Sequence, residues 1–68
     1  MESRNSLRDI RIEQGLSVRE LSDRCGISMR HLQRIENGES DPTLSTMLRI
    51  AWGLRKEVWQ VFGTENCK

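Results

Sequence analysis

From Leu7 onward the apolar residues fall three and four apart, in short bursts separated by glycines or by small polar residues suited to capping. No stretch alternates apolar and polar with a period of two for long, so the pattern predicts helices and no strands. The first helix is expected over residues 5–14, with Leu7, Ile10 and Arg11 on one face and Gly15 as a left-handed stop. Ser17, followed three residues later by Glu20, has the spacing of a capping box. Val18, Leu21, Ser22 and Cys25 then stand at i, i+3, i+4 and i+7, and Gly26 ends this second helix. Ser28 caps a third helix over 29–37, which buries Leu32 and Ile35 and stops at Asn37 and Gly38. Beyond Pro42, Thr43 caps a fourth helix whose inward stripe reads as Leu44, Met47, Leu48 and Ala51. A short fifth helix, 57–62, turns Val58, Val61 and Phe62 inward. The expectation is an all-α, five-helix domain over 1–68, with its core at about 5–62 and a polar tail at 63–68.

The middle of the chain makes a narrower demand. Two short helices can be joined by a tight turn only if the turn residue tolerates positive φ, which Gly26 does. Close approach of the second helix asks for a small side chain on the first, met by Ser22. The inner faces must be apolar, and Leu21, Cys25, Ile27, Leu32 and Ile35 meet that need. These offsets describe a helix-turn-helix, whose second helix is shaped to enter a DNA major groove.

Composition narrows the options. A chain of 68 residues supports a thin core, since a domain of this size buries only about 60% of the surface its unfolded chain exposes. No apolar run approaches the roughly 20 residues that span a bilayer, and the N-terminal segment lacks the apolar block of a signal peptide, so a cytoplasmic location is expected. Cys25 and Cys67 are read as unpaired thiols, and one histidine without a Cys-x-x-Cys pair argues against zinc. His31 reads as a helix-surface residue. With no phosphate loop, metal set or acid–base dyad, an enzyme is not expected. The formal net charge of +1 is uninformative, but its distribution is not. Arginines crowd residues 4 to 34, and arginine is suited to forked contact with phosphates and guanine edges. Arg30 and Arg34 are i, i+4 neighbours on the third helix, so their guanidinium groups share a face. The competing reading is a solvated face of surface ion pairs.

The segments "LRDIRIEQGLS", "RELSDRCGIS", "LQRIENGESDPTL" and "LRIA" together resemble the phage repressor and Cro-like (XRE) helix-turn-helix family across residues 7–62. The resemblance implies a compact lambda-repressor-like fold that binds double-stranded DNA without a cofactor, a metal or a small-molecule pocket. It implies base reading by Met29, Arg30, Gln33 and Arg34. Phosphate contacts are implied at Ser17, Val18, Arg19, Ser28, Asn37 and Thr43, several of which also read simply as caps. It further implies a buried ion pair between Arg11 and Glu36, joining the first helix to the third. Three departures stand out. Relatives often carry glutamine where this chain has Val18, which leaves only a backbone N–H for a phosphate. The loop after the third helix is acidic, with Glu39 and Asp41, which predicts weak non-specific affinity. Arg55 stands where a helix-ending glycine is common.

Trp52 and Trp59 lie outside the apolar stripes. Either they fold over the thin core, or they form the seam of a homodimer, with Trp59 the better placed. A dimer predicts an inverted-repeat operator. The alternative to a DNA-binding regulator is an interaction module, such as an antitoxin or adaptor, built on the same scaffold.

Overall fold

A computed structural model describes residues 6–63; Asn5, the other residues before Ser6, and the tail from 64 onward, including Cys67, lie outside the described residues. Five helices follow one another: α1 (Leu7–Glu13), α2 (Val18–Cys25), α3 (Met29–Glu36), α4 (Leu44–Leu54) and α5 (Val58–Phe62). There is no strand among the described residues, and none of the helices is long and apolar enough to cross a membrane.

The helix starts follow from local chemistry. Ser17 Oγ accepts from the Glu20 N–H at 3.0 Å while Glu20 Oε1 accepts from the Ser17 N–H at 2.8 Å, a complete capping box. Ser28 Oγ accepts from the His31 N–H at 3.1 Å, and Thr43 Oγ1 from the Thr46 N–H at 3.2 Å. The ends of α1, α3 and α4 share one device. In each, paired backbone bonds run back from two successive residues at the helix end: Leu16 to Arg11 and Gly15 to Ile12; Glu39 to Arg34 and Gly38 to Ile35; Lys56 to Ala51 and Arg55 to Trp52. This is the Schellman closure, and it requires a left-handed residue at its centre. Arg55 fills that place in α4 with φ 59°, where a glycine would sit without strain.

Leu7, Leu21, Leu32, Ile35, Ile50, Leu54 and Val61 are fully buried, with Ile10, Cys25, Ile27 and Ala51 around them. α2 lies against both α3 and α4, and α5 against α4 and α1. The Ser6 N–H donates to the Val61 carbonyl at 2.8 Å, tying the start of α1 to α5. α4 crosses α2 closely because Gly53 has no side chain. A Cβ there would stand 3.3 Å from Leu21 Cδ1 and 3.4 Å from Cys25 Cβ.

That crossing corrects the stripe expected for α4. Leu44 and Leu48 point outward, 63% and 51% exposed, and Met47 is half-buried. The inward residues are Ile50, Ala51, Gly53 and Leu54. The core contact falls in the C-terminal half of the helix, where Gly53 admits α2, and the N-terminal half projects beyond it. On α5, Val61 is buried, Val58 and Phe62 are half-buried, and Glu57 is the N-cap rather than the first helical residue.

Candidate nucleic-acid interface

The turn between α2 and α3 fixes the rest of the site. Gly26 is left-handed at φ 70°, and Ser22 Oγ donates to the Ile27 carbonyl at 2.6 Å across the turn. Ile27 is buried, so the chain enters α3 anchored on both sides of the bend. Leu32, Ile35 and Glu36 take the inner face of α3, which leaves Arg30, Gln33 and Arg34 on its exposed side and Met29 exposed in its first turn.

Arg30 and Arg34 stand one turn apart on the outer ridge, where helical geometry makes them neighbours. Among the described residues Arg30 has no ion-pair partner, whereas Arg34 Nε faces Glu39 Oε1 at 4.0 Å. Gln33 lies on a different flank. With Arg8, Arg11, Val18, Glu36 and Asn37 it lines an open, polar depression of about 340 Å³ between α1, the start of α2 and α3. The structure therefore groups Val18, Gln33 and Asn37 at one place and Arg30 with Arg34 at another.

Arg11 and Glu36 form the floor of that depression. Arg11 Nε donates to Glu36 Oε2 at 2.8 Å and Nη2 to Oε1 at 3.3 Å, a two-pronged contact. Arg11 Nη1 also donates to the Leu16 carbonyl at 2.8 Å. The two side chains are only 12% and 5% exposed, so each compensates a charge that burial would otherwise make costly. Glu36 is paired with Arg11, and among the described residues the guanidinium of Arg8 on the rim has no ion-pair partner. Sequence reasoning passed over Arg8. Its signal is its position one turn before Arg11 on the same helix.

The remaining residues sit where their capping roles require. Ser17 and Glu20 occupy each other's first-turn groups, and the backbone N–H groups of Val18 and Arg19 have no partner among the described residues. Val18 is half-buried against the core, and Arg19 is exposed. Asn37 is exposed at the end of α3, with its N–H bonded to the Gln33 carbonyl. Ser28 is committed to its cap. Thr43 caps α4 and its hydroxyl donates to Thr46 Oγ1 at 3.0 Å, away from the depression lining. Trp52 and Trp59 are 74% and 66% exposed, so neither folds over the core. Leu44, Leu48 and Trp52 form an exposed apolar line at four-residue intervals along α4.

A helix-turn-helix family model matches residues 7–57. The HTH-type transcriptional regulator SutR of Escherichia coli (strain K12) is 39% identical over 49 residues, covering 72% of this chain and 28% of that protein. The uncharacterized HTH-type transcriptional regulator y4dL of Sinorhizobium fredii is 38% identical over 52 residues, covering 76% of this chain and 26% of that protein. The chain thus spans about a quarter of the length of these relatives. Among solved structures, the restriction-modification controller protein C.AhdI from Aeromonas hydrophila superposes with a TM-score of 0.77 at 28% identity, covering 79% of this chain and 82% of its own. An HTH_3 family transcriptional regulator from Vibrio cholerae gives a TM-score of 0.78 at 36% identity, over 81% of this chain and 31% of its own. With more than half of its residues matched and α2, the Gly26 turn and α3 arranged as described, the chain belongs to the HTH_3 helix-turn-helix family.

Proposed function

We propose that the protein binds double-stranded DNA sequence-specifically in the cytoplasm, as a homodimer on an inverted-repeat operator, with α3 in the major groove, and so regulates transcription. The observation that carries this reading is the outer ridge of α3. Arg30 and Arg34 are exposed side by side on a helix whose opposite face is sealed into the core by Leu32 and Ile35. Each guanidinium can donate two parallel hydrogen bonds to guanine O6 and N7, a contact worth about 1–3 kcal/mol of discrimination. Met29, in the first turn, is placed to meet a thymine methyl. Gln33 keeps a role at the edge of the reading surface, where its place in the depression favours the backbone over a base.

Phosphates would be held by the free N–H groups of Val18 and Arg19 at the start of α2, with Asn37 and Arg8 across the depression. Ser17, Ser28 and Thr43 support this indirectly by fixing the helix starts. Such contacts orient the protein and carry no sequence information. The protein acts by occupancy of a site, with no chemical step.

Selection of bound duplexes from a random pool tests the reading. The wild-type protein should enrich an inverted repeat. Arg30→Ala and Arg34→Ala should each relax one position per half-site, while Arg8→Ala should weaken all sequences alike and flatten the salt dependence. Uniform weakening by all three substitutions would reduce α3 to a phosphate-binding face. A second reading, an interaction module, is favoured by the exposed line of Leu44, Leu48 and Trp52. It predicts capture of a different protein through that line, and no enriched duplex.

A further inference from the structure

We infer that Glu39 is a positioning residue for Arg34, holding its guanidinium end-on toward the DNA and raising the protein's selectivity for its site over unrelated sequence. The inference rests on the DNA-binding reading above and adds a residue to it.

The placement of Glu39 is set by backbone. In the closure of α3 the Glu39 N–H donates to the Arg34 carbonyl at 2.8 Å, and the Gly38 N–H donates to the Ile35 carbonyl at 3.1 Å. Gly38 takes the left-handed conformation this closure needs, φ 78°. The chain is thereby folded back so that the residue after the glycine lies over the residue four before it. In such closures that pair is usually an apolar contact. Here it is an acid and a base. The helix stop thus sets the two residues side by side through the backbone, and their exposed side chains meet as a loose ion pair at 4.0 Å.

The edge of the guanidinium that Glu39 addresses matters more than the pairing. Its carboxylate faces Nε, at 4.0 Å, and neither terminal nitrogen of Arg34 has a hydrogen-bond partner among the described residues. Two-pronged binding of guanine through the terminal nitrogens uses the other end of the fork. A carboxylate at ion-pair distance from Nε, without a hydrogen bond to it, therefore biases the arginine electrostatically and leaves free the atoms that read a base. Glu36, two residues beyond Arg34 on α3, is committed to Arg11 and cannot take this part. The same negative charge is repelled by phosphates, so it opposes loose association with DNA that offers no guanine to Arg34. Arg30 lacks such a partner among the described residues and should behave as an ordinary mobile reader.

The test uses the duplex enriched by the wild-type protein and a scrambled duplex of equal length, with binding followed by fluorescence anisotropy at one fixed salt concentration. Glu39→Gln keeps the shape and the backbone closure and removes the charge. The ratio of enriched to scrambled affinity should fall by about fivefold, the upper range for an exposed ion pair. Tighter scrambled binding should account for part of that fall. Glu39→Asp should restore part of the ratio. In an Arg34→Ala background Glu39→Gln should move both duplexes by the same factor and leave the ratio alone. An equal shift on both duplexes with Arg34 present would overturn the inference, leaving Glu39 as a general charge. Failure of the wild-type protein to enrich any duplex would instead remove the DNA-binding reading, and this inference with it.

Discussion

Arg11 shows how one side chain can serve both stability and site geometry. Its three donors span Glu36 on α3 and the carbonyl of Leu16 just before α2, so a single guanidinium ties three elements together at the floor of the depression. Arg11→Ala would leave a nearly buried carboxylate unpaired, at a cost of about 3–5 kcal/mol. A domain whose core supplies only about 3–5 kcal/mol in total should then be largely unfolded, read as loss of the cooperative transition in urea. Replacing both partners by apolar residues, Arg11→Met with Glu36→Leu, should recover most of the loss. An intact transition in Arg11→Ala alone would mean that the pair contributes little. Cys25 makes a second prediction. Burial pushes its thiol up from the ordinary 9.0, outweighing nearby backbone donors and Arg49. Below that value the thiol is protonated in both folded and unfolded chains. Above it the unfolded chain loses its proton first, so stability should fall as pH rises beyond 9.0. In a Cys67→Ser background, the urea midpoint should decline more steeply there than in Cys67→Ser with Cys25→Ala.

At the scale of helices, what the sequence makes legible is what is decided within four or five residues. The Ser17–Glu20 box, the caps at Ser28 and Thr43, and the Gly26 turn each involve partners close in the chain, and each is in place. The face of α4 is decided elsewhere. Leu44, Met47, Leu48 and Ala51 fit helical spacing as well as Ile50, Ala51 and Leu54 do, because the helix is apolar on two sides. Only the approach of α2 over Gly53 selects the second set, and that contact joins residues about thirty positions apart. The depression was hidden for the same reason, since Arg8, Val18 and Asn37 meet across three helices. The end of α4 is a case where the local signal and the structure pull against each other. Arg55 adopts φ 59°, a conformation costing a residue with a Cβ about 1–2 kcal/mol, and its side chain is exposed. Arg55→Gly removes that strain while loosening the unfolded chain by about 0.4–1 kcal/mol. A net gain of about 0.5–1 kcal/mol is expected from these terms, seen as a higher urea midpoint with an unchanged slope. A lower midpoint would show that the arginine side chain makes a contact that outweighs the strain.

For the molecule as a whole, the outer surface poses the remaining physical problem. Trp52 on α4 and Trp59 on α5 are mostly exposed, and Leu44 and Leu48 extend the apolar line along α4. Helices α4 and α5 pack together, so these side chains belong to adjoining elements. A tryptophan buries roughly 150–250 Å² when covered. Two from each of two copies therefore supply about half of the roughly 1,200–2,000 Å² that a stable interface needs, and the leucines add to it. A two-fold pairing through this surface would cover in one step the residues that are costly to leave in water. To read an inverted repeat, such a dimer would need its two copies of α3 about 34 Å apart, one turn of duplex DNA, so affinity would depend on half-site spacing. Trp59→Ser should shift the sedimentation profile at micromolar concentration from dimer to monomer while leaving the helical spectrum intact. The same variant should bind a single half-site about as well as the wild type does, yet lose the wild type's preference for the natural spacing over one lengthened by about half a turn. A wild-type protein that sediments only as monomer, or a Trp59→Ser variant that keeps the spacing preference, would move the pairing surface away from α5 and leave the tryptophans to another partner.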